Sequence, residues 1–445
     1  MKHPALLLSA LLAAAAATAA QPDRSVVRAP VKEGSRQLAF PGAVGWGRFA
    51  RGARAGANPA VYHVTNLDDA GPGSLRDAVS KPNRVVVFDV AGVIRLQSRV
   101  TFAPGLLIAG QTAPGDGVTV YGDGCSFSGA DDLICRYVRW RMGKGGAKGK
   151  DCAGISRGTN MIFDHCSFSW GRDETFSINP DRHRKGALGD ITLQHCIISH
   201  GLLPHSAGGL IQTDRVTLYR NLYSCNSTRN NKVKGTCQYA NNIVYNWKNG
   251  CFIMGGDSSG TSRCNIEGNL FINGPSGGGD AFVRGNDRFH FFSHDNWQDA
   301  NADGVFNPVC LDGVQTGGGD RVAARFDYPA LPLVPAKSLL KTLDRVGAAL
   351  PARDPYDTLV VKEVQSLGTA GALISSEAEL ACGAPSTWKL AAGRAQPDTD
   401  GDGLPDAWEA KNGTDRRKPD ATALARNGYL NIENYINSIS VPKAK

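Results

Sequence analysis

"MIFDHCSFSW", residues 161–170, and "ITLQHCIISH", residues 191–200, share one plan: an alternating β-type run, a polar residue or two, then a second short run. The plan recurs in "VTLYRNLYSC" from Val216, "QYANNIVYNW" from Gln238 and "NIEGNLFING" from Asn265, at intervals of 22 to 30 residues. Strand–turn–strand units at such a period mark a solenoid, because a single coil cannot bury its own apolar face. Earlier pieces, "RVVVFDVAGVIRL", "LLIAGQT", "VTVYGD" and "DLICRYVRWRMG", fit the same scheme. Leucine-rich repeats share the period, but LxxLxLxxN is absent, and no 3.6-residue periodicity supports helical repeats. The repeat therefore predicts an all-β fold, a right-handed single-stranded parallel β-helix. Cys166 and Cys196 occupy matching inward places in successive coils, and packing in an internal stack is expected of them rather than a bridge.

The ends differ from the middle. "PGSLRDAV", residues 72–79, predicts a short helix that caps the open end of the solenoid against edge pairing. Residues 335–365, which include "AKSLLKTLDRVGAAL", carry helical periodicity and are expected to pack along the outside of the coils.

The chain has 445 residues, 42% hydrophobic and 20% charged, enough to bury a large core, and its 53 glycines suit a protein of turns and strands. "MKHPALLLSALLAAAAATAA", residues 1–20, reads as a secretory signal peptide, so an extracellular or periplasmic protein is expected. No later run approaches the ~18 apolar residues of a membrane span. The net charge of +8 suits a polyanionic partner. Basic residues interleaved with aromatics, as single-strand binding needs, are absent, which argues against nucleic acid. The 11 cysteines are odd in number and show no zinc spacing, and their pairing is not readable from sequence.

"DTDGDGLPDAWE", residues 398–409, has the spacing of an EF-hand calcium loop and resembles the acidic repeats of thrombospondin type-three modules. Asp398, Asp400 and Asp402 stand at positions 1, 3 and 5, with the Leu404 carbonyl, Asp406 and Glu409 completing the expected ligands. "GYLNIENYINSI" follows as the expected partner helix. A structural Ca2+ is expected there, in a module spanning 396–440.

"AFPGAVGWG", "VYHVTNLDDAGPGSLRDAV", "IAGQTAPGDG", "FDHCSFSWGRDE" and "STRNN", in that order over roughly residues 39–300, resemble the pectate lyase family of parallel β-helix enzymes. The resemblance implies a β-helix catalytic domain over 38–330, a C-terminal extension over 331–390, and a monomer. It also implies calcium-assisted β-elimination on α-1,4-polygalacturonate, in which a base removes the C5 proton and the C4–O bond breaks. Carried over residue by residue, Asp151 and Asp173 match calcium carboxylates of the cleft. The further aspartate often found four residues on is Ser177 here. Glu174 stands beside the gap and could substitute, although neighbouring strand residues point to opposite faces.

"NSTRNNKVKG", residues 226–235, crowds Arg229, Lys232 and Lys234 into a short polar run. Read alone, it is a solvated loop or a binding strip. By resemblance it lies where the family carries RxPxxR, which makes Arg229 the proton-abstracting base and Lys232 and Lys234 ligands of substrate carboxylates. The proline is missing, and lysine lacks the bidentate fork of the second arginine. "LPHSAGGLI", residues 203–211, offers His205 and Ala207 where a substrate-binding lysine often stands; His205 either contacts a sugar or bonds within a turn. Asp164 and His165 suggest a hydrolase pair, but they sit within the repeat and no GxSxG elbow accompanies them, which favours a structural role. The alternatives are a calcium-independent pectin lyase, a hydrolase using Asp151 and Asp173 as a carboxylate pair, and a non-catalytic polysaccharide-binding solenoid.

Overall fold

The computed structural model describes residues 30–181, 186–255 and 260–440. The expected signal peptide lies outside the described residues. Three parallel sheets of 11, 10 and 8 strands wind around one axis. One coil takes a strand from each sheet in turn, for example Gly158–Asp164, Ser167–Ser169 and Phe176–Ile178, and the next coil begins at Leu188–Gln194. Pairing within the sheets is parallel, except where Trp297–Asp299 meets Val309–Cys310 at the far end. The parallel β-helix expected from the repeat is what the chain forms.

The turn between the first and second sheets sets the coil spacing. Asn221, Asn242, Asn269 and Asn296 stack there in four successive coils, each at most 1% exposed. The Asn242 Oδ1 accepts from the Asn221 N–H at 2.9 Å, and the Asn242 N–H donates to Asn269 Oδ1 at 2.9 Å. Each side-chain amide also donates to a carbonyl one coil back: Leu193, Leu218, Tyr239 and Ile266. The residue just before each asparagine has positive φ, which tightens the turn. In earlier coils Cys166 and Cys196 fill the ladder position, and the Cys196 N–H donates to Asn221 Oδ1. All eleven cysteines are free, as the packing reading of Cys166 and Cys196 requires.

The register corrects one detail of the repeat. Val216 pairs with Cys237 and Cys237 with Cys264, so these coils begin one residue earlier than Gln238 and Asn265. A one-residue slip exchanges the two faces of a strand. Cys237 and Tyr239 therefore point into the core, and Gln238 points outward to the Pro329 carbonyl.

"PGSLRDAV" does form the short cap. Ser74 accepts the Asp77 N–H and starts a helix over Leu75–Ala78, whose Leu75 and Ala78 seal the core. "AFPGAVGWG" runs along the outside of the first sheet, where Gly47 lies so close to the Met161 carbonyl that a Cβ could not fit.

In the C-terminal extension the regular helix is Pro355–Gln365, later than "AKSLLKTLDRVGAAL", which forms only the 3-10 stretch Ala336–Thr342. That run cannot continue as a helix because the Gly347 N–H is bonded to the His195 carbonyl and a Cβ there would strike Ile197. Asp354 caps the Pro355–Gln365 helix and accepts from Arg141 at 2.6 Å, while Asp357 accepts from Arg141 at 3.0 Å. Arg139 and Arg141 project from the outer face of the second sheet, and Trp140 between them fills the interior.

Asp164 and His165 belong to this framework. Asp164 accepts from Arg136 at 2.8 Å and from Gln194 at 2.9 Å, and the His165 ring stacks on His195 at 4.6 Å. Burial alone would raise the Asp164 and Asp354 carboxyls, but His165 and Arg136 hold the first, and Arg141 and Arg139 the second, below the usual range. Folded values below the unfolded ~3.9 give a stabilisation that is full above about pH 5 and declines as pH falls below about 4. Asp164→Asn leaves Arg136 charged and buried, so it should cost about 3–5 kcal/mol at neutral pH. It should also flatten the acid limb of stability against pH, as denaturant unfolding at several pH values would read; an unchanged limb would contradict the assignment.

Candidate active site and calcium module

The expected site residues lie on the approach to the third sheet, one coil after another. Asp151 precedes Ala153–Ile155, Asp173 and Glu174 precede Phe176–Ile178, His205 precedes Leu210–Gln212, and Arg229 precedes Lys232–Lys234. Backbone bonds fix the row: Asp173 N–H to the Lys150 carbonyl, Gly209 N–H to the Arg229 carbonyl, and Arg229 N–H to the Gly250 carbonyl.

The "NSTRNNKVKG" run is not a solvated loop. Asn226 and Asn230 are buried and bonded to each other, and the Tyr239 hydroxyl donates to the Asn230 carbonyl at 2.6 Å. Arg229 is thereby presented beside Glu174. The chain then enters the third sheet, where Val233 faces the core and Lys232 and Lys234 face outward.

Asp173, Glu174 and His205 bring their ligand atoms within 4.8 Å of one another. His205 Nε2 lies 2.9 Å from Asp173 Oδ1 and 3.5 Å from Glu174 Oε1. Arg229 Nη1 donates to Glu174 Oε1 and lies 3.4 Å from His205 Nε2. Asp151 Oδ1 accepts the Glu174 N–H at 3.2 Å. The alternation argument against Glu174 does not apply, because Asp173 and Glu174 sit in a bend before the strand and Glu174 forms only a single bridge, to Ala207. Both carboxylates therefore reach the same place. Ser177 lies in the strand, paired with Gly154, and its hydroxyl accepts the Leu210 N–H, so no carboxylate stands there.

Burial and the neighbouring Glu174 raise Asp151 to about 7. Hydrogen bonding to His205 lowers Asp173, and the same bond with one to Glu174 raises His205 to about 9. Clustered carboxylates that draw in an imidazolium and a guanidinium form a place where a divalent cation fits. Arg99, which sequence reasoning passed over, donates to the Asp151 carbonyl from two coils back. It had no motif to mark it.

The C-terminal loop closes around two overlapping carboxylate groups, Asp398–Asp400–Asp402 and Asp402–Glu409–Asp420. Both oxygens of Asp400 and both of Glu409 are buried with no hydrogen-bond partner. Burial, with Asp400, Asp402 and Asp420 nearby, raises Glu409 to about 7. Buried acceptors without donors are costly, and a calcium ion is the partner that oxygen-only ligands fit. Asp406 stands apart, accepting from the Thr399 N–H and hydroxyl at 2.8 Å each. The Leu404 N–H is held by Asp402 and its side chain is buried. Asp420 lies beyond the 12-residue pattern, so spacing could not find it. The expected partner helix forms over Asn431–Ser438 and ties the module to the solenoid through Glu433 and Arg54, Asn437 and Arg136, and the Ser440 carbonyl and Tyr137. Glu409→Gln should lower the unfolding temperature in calcium and abolish most of the further loss caused by chelator, as scanning calorimetry would read; an unaltered response to chelator would contradict a calcium site here.

Residues 398–415 match the family model described as a bacterial TSP3 repeat. A protein of Aspergillus flavus named "Probable pectate lyase C" is 49% identical over 410 residues, 91% of this chain and 94% of that one. A protein of the same name from Aspergillus fumigatus is 50% identical over 408 residues, 90% of this chain and 94% of that one. Among solved structures, a Bacillus subtilis pectate lyase superposes with a TM-score of 0.49 at 13% identity, over 71% of this chain and 99% of that one. Sharing about half its residues with the two Aspergillus proteins along nearly their whole length, the chain belongs to the pectate lyase family of polysaccharide lyases.

Proposed function

We propose that this lyase is secreted and cleaves α-1,4-polygalacturonate by calcium-assisted β-elimination with Arg229 as the base. The observation that carries the proposal is the convergence of Glu174, Asp173, His205 and Arg229 on one spot, with Lys232 and Lys234 on the adjoining strand. The names of the relatives support the substrate class.

Asp173 and Glu174 would hold the ion, with Asp151 beside them. When bound, calcium would offset the carboxylates of Asp173, Glu174 and the sugar, acidifying the C5 proton and loosening the hold of Glu174 on Arg229. Lys232 and Lys234 face the solvent side of the third sheet, where they would pair with carboxylates of successive sugars. Arg229 is paired to Glu174 as the structure stands, so it would turn to the sugar only when the charge of Glu174 is taken up elsewhere. His205 would stand at the edge of the sugar site and give up its contact with Asp173 as the acids are engaged. Asp151 Oδ1 is engaged by the Glu174 N–H, which speaks against its serving as one member of a hydrolase's carboxylate pair.

Incubation with polygalacturonate should raise ultraviolet absorbance from the conjugated double bond, and chelator added during the reaction should stop the rise while circular dichroism stays constant. New reducing ends without absorbance would contradict elimination. Arg229→Ala should lower kcat by at least about 10²-fold with little change in KM. Glu174→Gln should instead raise the calcium needed for half-maximal rate. Full activity of Arg229→Ala would remove Arg229 from the role of base.

A further inference from the structure

A second cluster of ligand-bearing side chains lies apart from the strip, beneath the Pro355–Gln365 helix. His200, Cys225 and Asn246 follow the second-sheet strands Ile197–Ser199, Leu222–Ser224 and Ile243–Tyr245 in three successive coils. All three have positive φ and stack as rungs of one corner, so their side chains share a direction. The helix lays Tyr356 and Glu363 over that corner.

The two separations to Glu363 are those between ligands of one metal ion. His200 Nε2 lies 3.6 Å from Glu363 Oε2, Cys225 Sγ lies 3.7 Å from the same oxygen, and the three ligand atoms fall within 4.8 Å of one another. A tetrahedral ion with bonds of about 2.0–2.3 Å holds its ligand atoms about 3.3–3.8 Å apart. His200 is fully buried, and its Nε2 has no hydrogen-bond partner. Its Nδ1 is bonded to the Tyr356 hydroxyl at 2.9 Å, which orients the ring as an outer hydrogen bond orients a ligating imidazole.

The chemistry of the set agrees. Burial lowers His200 to about 3, so the imidazole is neutral and its Nε2 can offer a lone pair. Burial raises Glu363 to about 7, and among the described residues no lysine or arginine pairs with it. Burial and the neighbouring Glu363 push the Cys225 thiol up, while the Asn246 amide, which donates to Cys225 Sγ at 3.3 Å, acts the other way; displacing that proton is left to the ion. A nitrogen, a sulfur and a carboxylate oxygen suit a borderline-soft divalent ion and not calcium, which prefers oxygen alone.

We infer that His200, Cys225 and Glu363 form a structural site for a zinc-class divalent ion that clamps the Pro355–Gln365 helix to the solenoid. Coordination removes the proton from the Cys225 thiol and from Glu363, and both protons leave to solvent as the ion is bound. Because the three ligands are buried, the ion is taken up as the chain folds and does not exchange freely afterwards.

The test uses the full-length protein, purified natively from cells grown with zinc or with cobalt, dialysed against a chelator that strips calcium, and then assayed for elements. The expected result is one transition-metal ion per chain after dialysis. The cobalt form should show a thiolate-to-cobalt charge-transfer band in the near ultraviolet and the visible bands of four-coordinate cobalt. Among the described residues this is the only group of three candidate ligands that includes a cysteine, so the band itself points to Cys225. Cys225→Ala should lose the band and the metal, with far-ultraviolet circular dichroism unchanged. A natively purified protein with no transition metal from either growth overturns the inference, whether or not the variant folds. So does a cobalt form without the charge-transfer band, or one whose band survives Cys225→Ala.

Discussion

Every coil must turn sharply between its first and second strands without leaving backbone donors unpaired in a dry interior. The asparagine ladder meets that demand. The side chains of Asn221, Asn242, Asn269 and Asn296 each accept from and donate to the coil before, and the backbone N–H groups of the first three donate to the asparagine of the coil after, so the stacking is fixed by side chains as well as by the sheets. A buried amide without partners would cost about 1–3 kcal/mol, and a run of such turns without the ladder would offset much of a domain's net stability. Uniform stacking places equivalent residues of successive coils ~4.8 Å apart. A row of side chains at that spacing can act together on an extended polymer.

The strip of Asp151, Asp173, Glu174, His205 and Arg229 uses that geometry. Residues far apart in sequence become neighbours because each lies just before the third-sheet strand of its own coil. The acids and bases balance one another in the structure as it stands, with His205 and Arg229 directed at Asp173 and Glu174. Under the proposed function, a divalent ion and an anionic sugar would together replace both partners. The C-terminal loop is different. Its buried carboxylate oxygens on Asp400 and Glu409 lack well-formed hydrogen bonds, a need that a bound cation would answer.

Much of this was legible before any coordinates. The repeat specifies the solenoid and the inward packing of Cys166 and Cys196, but not that asparagines take the same place in later coils. Aligning Asn221 with Asn242, rather than the starts of the segments, puts Cys237 opposite Val216 as the sheet pairs them. Asp151, Asp173 and Arg229 were readable only through family resemblance. Glu174 was obscured by a strand rule that does not hold in a bend. Asp420 and Arg99 could not be read, since each acts across coils or loops and carries no local spacing. The helix at 355–365 was displaced from the periodic run because tertiary contacts at Gly347 override propensity.

Under the proposed function, one spot on the third-sheet strip binds calcium and the sugar carboxylate together. A crystal structure of the Arg229→Ala protein with calcium and a short galacturonate oligomer tests it most directly. The expected result is a calcium ion touching Asp173 and Glu174 and also a sugar carboxylate, with Lys232 or Lys234 on the adjoining carboxylate. An oligomer bound elsewhere on the solenoid, or bound at the strip with no ion at Asp173 and Glu174, would contradict it.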